Sequence, residues 1–288
     1  MAMRAVRIGE SLPERTLRSR RGYTWFSMFD THCHLTFDCY ESRISQVLAD
    51  AKKAGVRGCI TVATTTGDAP RVTALADQHA DVWCSSGVHP LYSDQPIDWD
   101  AMLTAGRHPR CVAWGELGLD NHYEQPPADQ QREVLKIQLD RIREWTAEGL
   151  AKPIIVHCRE AYDDLIPILV ASGLPSERFV FHCFTGTPEE ADLVLEFGAW
   201  ISFTGIVTFK NARQVAEASD RVPLDRLMVE TDSPFLTPEP HRTTRPNEPR
   251  YVPFVADFLA HRRGIDPKEM HEILDANAER FFGIELPT

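Results

Sequence analysis

The chain has 288 residues, 43% of them hydrophobic and 25% charged, with 16 Gly, 20 Pro, 7 Cys and a net charge of −11. These figures exclude a collagen, a low-complexity disordered chain and a disulfide-stapled miniprotein, and leave room for two domains of roughly 100–200 residues or one α/β barrel of about 250. No run reaches the ~18 apolar residues of a membrane-spanning helix. The acidic balance excludes a protein that coats duplex nucleic acid through many Lys and Arg contacts, while leaving room for an enzyme that grips one strand end or one phosphate through a bound metal.

Residues 1–27 hold six Arg and two Glu, a net of +4, so the remaining 261 carry −15. The segment lacks the apolar stretch of about 7–15 residues that a secretory signal needs, and its two Glu weaken a transit-peptide reading. It reads as a peripheral extension ahead of one domain, 28–288. From there short apolar runs alternate with amphipathic stretches. The runs are 26–29, 58–63, 82–86, 111–115, 153–156, 179–181, 200–203 and 227–229. Each is too short for a helix and too apolar for a solvated loop, as buried parallel strands are.

Helical signals lie between them. Ile44, Val47, Leu48 and Ala51 recur at i, i+3, i+4, i+7 before Gly55, and Leu135, Leu139, Ile142 and Trp145 form a second stripe. Thr187-Pro188-Glu189-Glu190 is a capping box with Pro at the first helical position, and Gly198 is the stop. Segments 252–262 and 267–282 are also helical in pattern. Eight strands alternating with helices predict an α/β fold, a (β/α)8 TIM barrel, in preference to a doubly wound sheet, because no G-x-G-x-x-G or P-loop follows any strand.

The seven cysteines are odd in number, scattered, and never spaced C-x-x-C. They read as reduced, mostly buried thiols of a cytoplasmic protein.

The polar residues cluster where the strands end. Asp30, His32 and His34 leave the first run, His89 follows the third, and Glu116 closes the fourth. His157 closes the fifth, His182 the sixth, and Asp232 follows the eighth. In a parallel barrel these ends meet at one mouth, the face that carries barrel active sites. His32 and His34 are i and i+2, so in extended chain both imidazoles face one point. A lone H-x-H is a weak signal, and His157 or His182 taken singly is a buried histidine as readily as a ligand. Together with two strand-end carboxylates, which are almost never buried unpaired, they point to a divalent metal site. Six ligands suit two ions sharing a bridging carboxylate, an arrangement that clamps a displacement at phosphorus and supplies a metal-activated water. Asp232 is the candidate to take that water's proton.

These motifs resemble the TatD family of metal-dependent hydrolases, the TatD-type deoxyribonucleases. The matching segments are Phe29-Asp30-Thr31-His32-Cys33-His34-Leu35, Gly87-Val88-His89-Pro90, Gly115-Glu116-Leu117-Gly118-Leu119-Asp120, Val156-His157-Cys158-Arg159-Glu160-Ala161, His182-Cys183-Phe184-Thr185-Gly186 and Glu230-Thr231-Asp232-Ser233-Pro234. The resemblance implies hydrolysis of DNA phosphodiesters, commonly as a 3′-5′ exonuclease on single strands or strand ends, with one or two divalent ions (Mg, Zn or Mn). It implies that His32, His34 and Asp232 hold the first metal, that Glu116 bridges, that His157 and His182 hold the second, and that His89 sits near the scissile phosphate. Glu116 and Asp232 are then the catalytic carboxylates.

One segment departs from the family pattern. Where an Arg-Gly-Lys-x-Asn-x-Pro-like stretch is expected on the substrate side, this chain has His241-Arg242-Thr243-Thr244-Arg245-Pro246-Asn247-Glu248-Pro249. Arg242 and Asn247 are kept as substrate-binding candidates, and Arg245 is the candidate replacement for the missing Lys charge. The loop Asn121-His122-Tyr123-Glu124 also departs from expectation. These differences keep open an alternative substrate for the same metal site: an ester, lactone or amide outside nucleic acid, or D-aminoacyl-tRNA. No membrane association and no obligate protein partner are expected.

Overall fold

In the computed structural model, which describes residues 27–287, eight parallel strands hydrogen-bond in chain order as one sheet. They are β1 (Met28–Cys33), β2 (Val56–Thr61), β3 (Val82–Ser86), β4 (Cys111–Asp120), β5 (Ile154–Arg159), β6 (Phe179–Phe181), β7 (Trp200–Phe203) and β8 (Leu227–Val229). Helices alternate with them: α1 (Ile44–Lys53), α2 (Ala69–Gln78), α3 (Trp99–Gly106), α4 (Ala128–Ala147), α5 (Tyr162–Ala171), α6 (Pro188–Phe197) and α7 (Arg213–Arg221), with α8 (Val252–Arg263) and α9 (Pro267–Phe282) after β8. This sequential order is that of a (β/α)8 barrel and not of a doubly wound sheet, whose order reverses at a switch point. The ring closes just past β8. There Asp232 N donates to His32 O at 2.9 Å, His34 N donates to Ser233 O at 2.8 Å, and Cys33 pairs with Ser233 in a parallel bridge. The expected extension 1–27 lies outside the described residues apart from Ser27, as does Phe26 of the first expected strand.

Local signals explain the helices. Val47, Leu48 and Ala51 form the buried stripe of α1, and Leu135, Leu139, Ile142 and Trp145 that of α4. The capping box of α6 is formed in both directions. Thr187 Oγ1 accepts from Glu190 N at 3.2 Å, Glu190 Oε2 accepts from Thr187 N at 2.7 Å, and Gly198 ends the helix at φ 101°.

The core has two layers. Phe29, Ile60, Trp83, Val112, Ile155, Val180, Trp200 and Met228, one from each strand, join a single buried cluster with Ala278, Phe281 and Phe282 of α9. Side chains drawn from all eight strands can meet only inside the ring, so this layer is its floor. Two residues further along, on the same strand face, the chemistry changes. Ile155 is followed by His157, Val180 by His182, and Met228 by Glu230. A larger cluster, containing Trp114, Phe179, Phe181 and Phe203, packs sheet against helices.

Three strands run further than their apolar residues suggest. His32 lies within β1, Glu116 within β4 and His157 within β5, where the sequence pattern places them at or beyond the strand ends. The ladder continues because backbone pairing is indifferent to the side chains pointing inward. Gly118 pairs with His157 and Asp120 with Arg159. Two glycines permit this seating. Gly115 and Gly118 have φ of 121° and 152°, and a Cβ on Gly118 would fall 1.8 Å from His157 O. Gly118→Ala should therefore cost at least about 2 kcal/mol of stability, measured by urea unfolding. Gly149→Ala should cost only about 1 kcal/mol, because there φ is 93° but nothing lies within 4 Å.

Candidate metal centre

The mouth of the barrel opens into a cavity of about 1060 Å³ whose lining includes His34, His89, Glu116, His157, His182 and Asp232. The four non-glycine residues with positive φ among the described residues, Glu160, Cys183, Asp232 and Leu236, all line it. Such conformations cost of order 1–3 kcal/mol each and persist where the surroundings enforce them.

Glu116 is the hub. Its Oε1 lies 2.6 Å from His182 Nε2, 2.8 Å from His157 Nδ1 and 3.4 Å from His89 Nε2. Its Oε2 lies 3.5 Å from His32 Nε2 and 3.8 Å from His34 Nε2. Those two imidazole nitrogens face each other at 3.2 Å, and Asp232 Oδ1 is 3.3 Å from His34 Nε2 and 3.7 Å from His32 Nε2. Among the described residues three donor groups could each hold a metal ion: His32, His34 and Asp232; His32, Glu116 and His182; and His89, Glu116 and His157, with the donor atoms of each group within 4.8 Å of one another.

The outer hydrogen bonds decide which nitrogens carry lone pairs. His34 Nδ1 faces Val62 O at 3.1 Å, and a carbonyl can only accept, so the proton sits on Nδ1 and Nε2 is free. His182 Nδ1 faces Glu230 Oε1 at 3.2 Å, leaving Nε2 free. His157 is turned the other way. Its Nε2 faces Asp120 Oδ2 at 3.0 Å, leaving Nδ1 free. Free lone pairs thus converge on carboxylate oxygens, while Glu116 Oε2 is buried without a hydrogen-bond partner. Acceptors facing acceptors in a buried site need a cation between them, and this donor set suits a divalent metal. His89 differs. Its Nδ1 accepts from Leu91 N at 3.0 Å, so the neutral ring carries its proton on Nε2, which faces His157 Nδ1 at 3.1 Å and Glu116 Oε1 at 3.4 Å.

The electrostatics agree. Burial opposes ionisation of Glu116, yet the surrounding imidazoles, His182 and His89 foremost, hold its carboxyl well below the usual range. Burial likewise opposes a charge on His182, and Glu116 outweighs it to push the imidazole well up. His157 is raised against its own burial by Asp120 and Glu116. His89, desolvated by burial, is pulled down to about 3 and stays neutral. Asp232 is lowered, with His34 overcoming burial.

Other expected residues are placed elsewhere. Asp30 accepts from Thr231 N at 2.9 Å and Thr231 Oγ1 at 2.6 Å, bracing the barrel seam outside the donor groups. Asn247 does not line the cavity. It is buried, its amide donating to Thr231 O and Phe235 O and accepting from Glu248 N, so it holds the loop together. Arg242 stacks over the Phe209 ring at 4.0 Å, also outside the lining, and Arg245 is spent on its own loop through Arg242 O and Thr244 O. Among the described residues the arginines lining the cavity are instead Arg159 and Arg213. Sequence reasoning assigned no role to Asp120, Glu230 or Arg159. Period two offers the signal, since Asp120 is four residues from Glu116, Glu230 two from Asp232, and Arg159 two from His157.

The sequence matches the family described as TatD related DNase over residues 29–283. The chain belongs to the TatD-related DNase family. It is 39% identical over 263 residues to the uncharacterized metal-dependent hydrolase YcfH of Escherichia coli K12, covering 90% of this chain and 96% of that protein. It is 34% identical over 270 residues to the 3′-5′ ssDNA/RNA exonuclease TatD of Citrobacter rodentium, covering 90% and 99%. The crystal structure of YJJV, a TatD homolog from E. coli K12, superposes with a TM-score of 0.81 at 28% identity, over 90% of this chain and 98% of that one. The barrel is thus that of a TatD-family hydrolase.

Asp120→Asn and Glu230→Gln each loosen an imidazole that offers a lone pair. Each should weaken divalent-metal affinity about 10- to 100-fold, read by calorimetric titration of chelator-stripped protein, and unchanged affinity would reduce these contacts to packing. Protons compete for the same lone pairs. Because His157 and His182 bind protons more tightly than ordinary imidazole, affinity should fall as pH is lowered, beginning above about 6.5. A dissociation constant flat between about pH 6 and 8 would contradict this.

Proposed function

We propose that this TatD-family chain hydrolyses phosphodiester bonds of DNA at single strands or strand ends, as a 3′-5′ exonuclease. The observation that carries the reading is the position of Glu116, one carboxylate touching two separate sets of imidazoles within 3.8 Å. His32, His34 and Asp232 would hold one divalent ion, His157 and His182 a second, with Glu116 between them. When bound, the ions supply Lewis acidity that neutralises phosphate charge and makes water nucleophilic near neutral pH.

The chain's own groups do the rest. Asp232, held ionised by His34 and half-buried at the cavity wall, is the base that takes a proton from the attacking water. His89, its Nδ1 held by Leu91 N, would turn its Nε2–H from His157 to hydrogen-bond a non-bridging phosphate oxygen, keeping its proton. Arg159 and Arg213 lie where a neighbouring phosphate would pass. Imidazole-rich ligation favours Zn or Mn over Mg. All seven cysteines are unpaired, which supports a reducing, cytoplasmic setting, and no described helix is long and apolar enough to cross a membrane.

The test is a labelled single-stranded oligonucleotide incubated with chelator-stripped protein, then with Zn, Mn or Mg restored. Ladder-like shortening should appear only with metal, and Asp232→Asn should slow it about 10²- to 10⁴-fold. An oligonucleotide that stays intact with every metal overturns the reading. Metal added at about a hundred times its dissociation constant should also stabilise the fold by ~2.7 kcal/mol, seen as a rise of several degrees in Tm.

A further inference from the structure

Two exposed aromatic rings at the mouth are left unused by the chemistry above. Among the described residues five large apolar side chains are well exposed, and the two aromatic ones, Tyr123 and Phe235, are each 50% exposed and both line the cavity. The other three, Ile137, Val170 and Leu193, lie on α4, α5 and α6 outside the lining. Single exposed apolar residues are ordinary surface, but two aromatics framing the one cavity that holds the donor groups are not scatter.

Their placement follows from the barrel. Tyr123 is on the loop after β4 and Phe235 on the segment after β8. In a ring of eight sequential strands these are four places apart, so the rings stand on opposite walls with the Glu116 donors between them. Each is propped from behind. Phe235 meets Phe37 edge-on at 6.0 Å, and Phe37 stacks on His34 at 4.9 Å. Tyr123 has the Arg159 guanidinium 5.3 Å from its centroid and the His122 ring edge-on at 4.9 Å. Held rings with half their surface open are pre-organised for stacking.

The cavity, about 1060 Å³, lies just above the ~300–1,000 Å³ of small-ligand sites, so it has room for more than one phosphate. With a net charge of −11 and two Arg at the cavity among the described residues, contacts from these residues to phosphate alone leave binding of a polyanion weak. Stacking makes up the difference, because every base has a π-face.

We infer that Tyr123 and Phe235 are base-stacking platforms, one on each wall, for the two nucleobases that flank the scissile phosphodiester of an unpaired strand. The inference rests on the nuclease reading above and deepens it. Bases splayed to opposite walls cannot remain stacked or paired with each other, so the site selects single strand over duplex.

The experiment uses the metal-loaded full chain and short single-stranded DNA, either intact or with one abasic residue directly 5′ or 3′ of the cleaved bond. Wild type should lose about 5- to 140-fold in kcat/KM for either abasic strand. Tyr123→Ala should become indifferent to the missing base on one side and Phe235→Ala on the other, with KM raised more than kcat is lowered. Tyr123→Phe and Phe235→Tyr should restore the sensitivity. Fluorescence anisotropy of labelled oligonucleotides on metal-free protein should rank the variants in the same order. If wild type cleaves these strands but both alanine variants keep its full abasic sensitivity, or if duplex is cut as fast as single strand, this inference fails and the nuclease reading survives. If wild type cleaves no oligonucleotide under any metal, both fall.

Discussion

The backbone seam between β1 and the residues after β8 is the contact on which the rest depends. Asp232 N to His32 O, and His34 N to Ser233 O, close the ring, and the same residues carry the side chains of the first donor group. Folding and site assembly are therefore one event on this side of the barrel. Residues some 200 positions apart are brought into register by hydrogen bonds that the fold needs anyway. Asp30 and Thr231 reinforce the same seam from below, so a donor-bearing segment with a strained Asp232, φ 49°, is held from several directions.

A second constraint is charge. Glu116, Asp120, Glu230 and Asp232 are four carboxylates confronting five imidazoles in a space shielded by the apolar floor. Low polarity beneath them strengthens every attraction and makes any unpartnered oxygen costly. The outer pair, Asp120 and Glu230, is satisfied by protein donors. Glu230 alone takes His182 Nδ1, Cys183 N, Ser202 Oγ and Thr31 Oγ1. The inner carboxylate, Glu116, is not. That asymmetry separates groups that orient from groups that wait for a cation.

The fold was legible because buried parallel strands write themselves as short apolar runs, and because Thr187, Glu190 and Gly198 spell out a helix start and stop. The converging donors were legible because strand ends in a parallel barrel share one mouth, so His32, His34, Glu116, His157, His182 and Asp232 needed only their positions along the chain to be grouped. What the sequence hid was of two kinds. Strand extents were hidden because hydrophobicity ends at His157 and Glu116 while the backbone ladder does not. Side-chain direction in irregular loops was hidden because no period applies there. Asn247 and Arg242 look alike as polar loop residues, yet one is locked inside its turn and the other lies flat on Phe209. The lone-pair assignment of each imidazole was also beyond reach, since it depends on partners such as Val62 O that no local pattern announces.

The floor formed by Phe29, Ile155, Val180, Trp200 and Met228, backed by Phe281 and Phe282 of the last helix, has a consequence for traffic. The barrel is a cul-de-sac. A polymer cannot be threaded through it from end to end, so a long chain must be draped over the rim and shuffled sideways, and each released fragment leaves by the doorway through which it came.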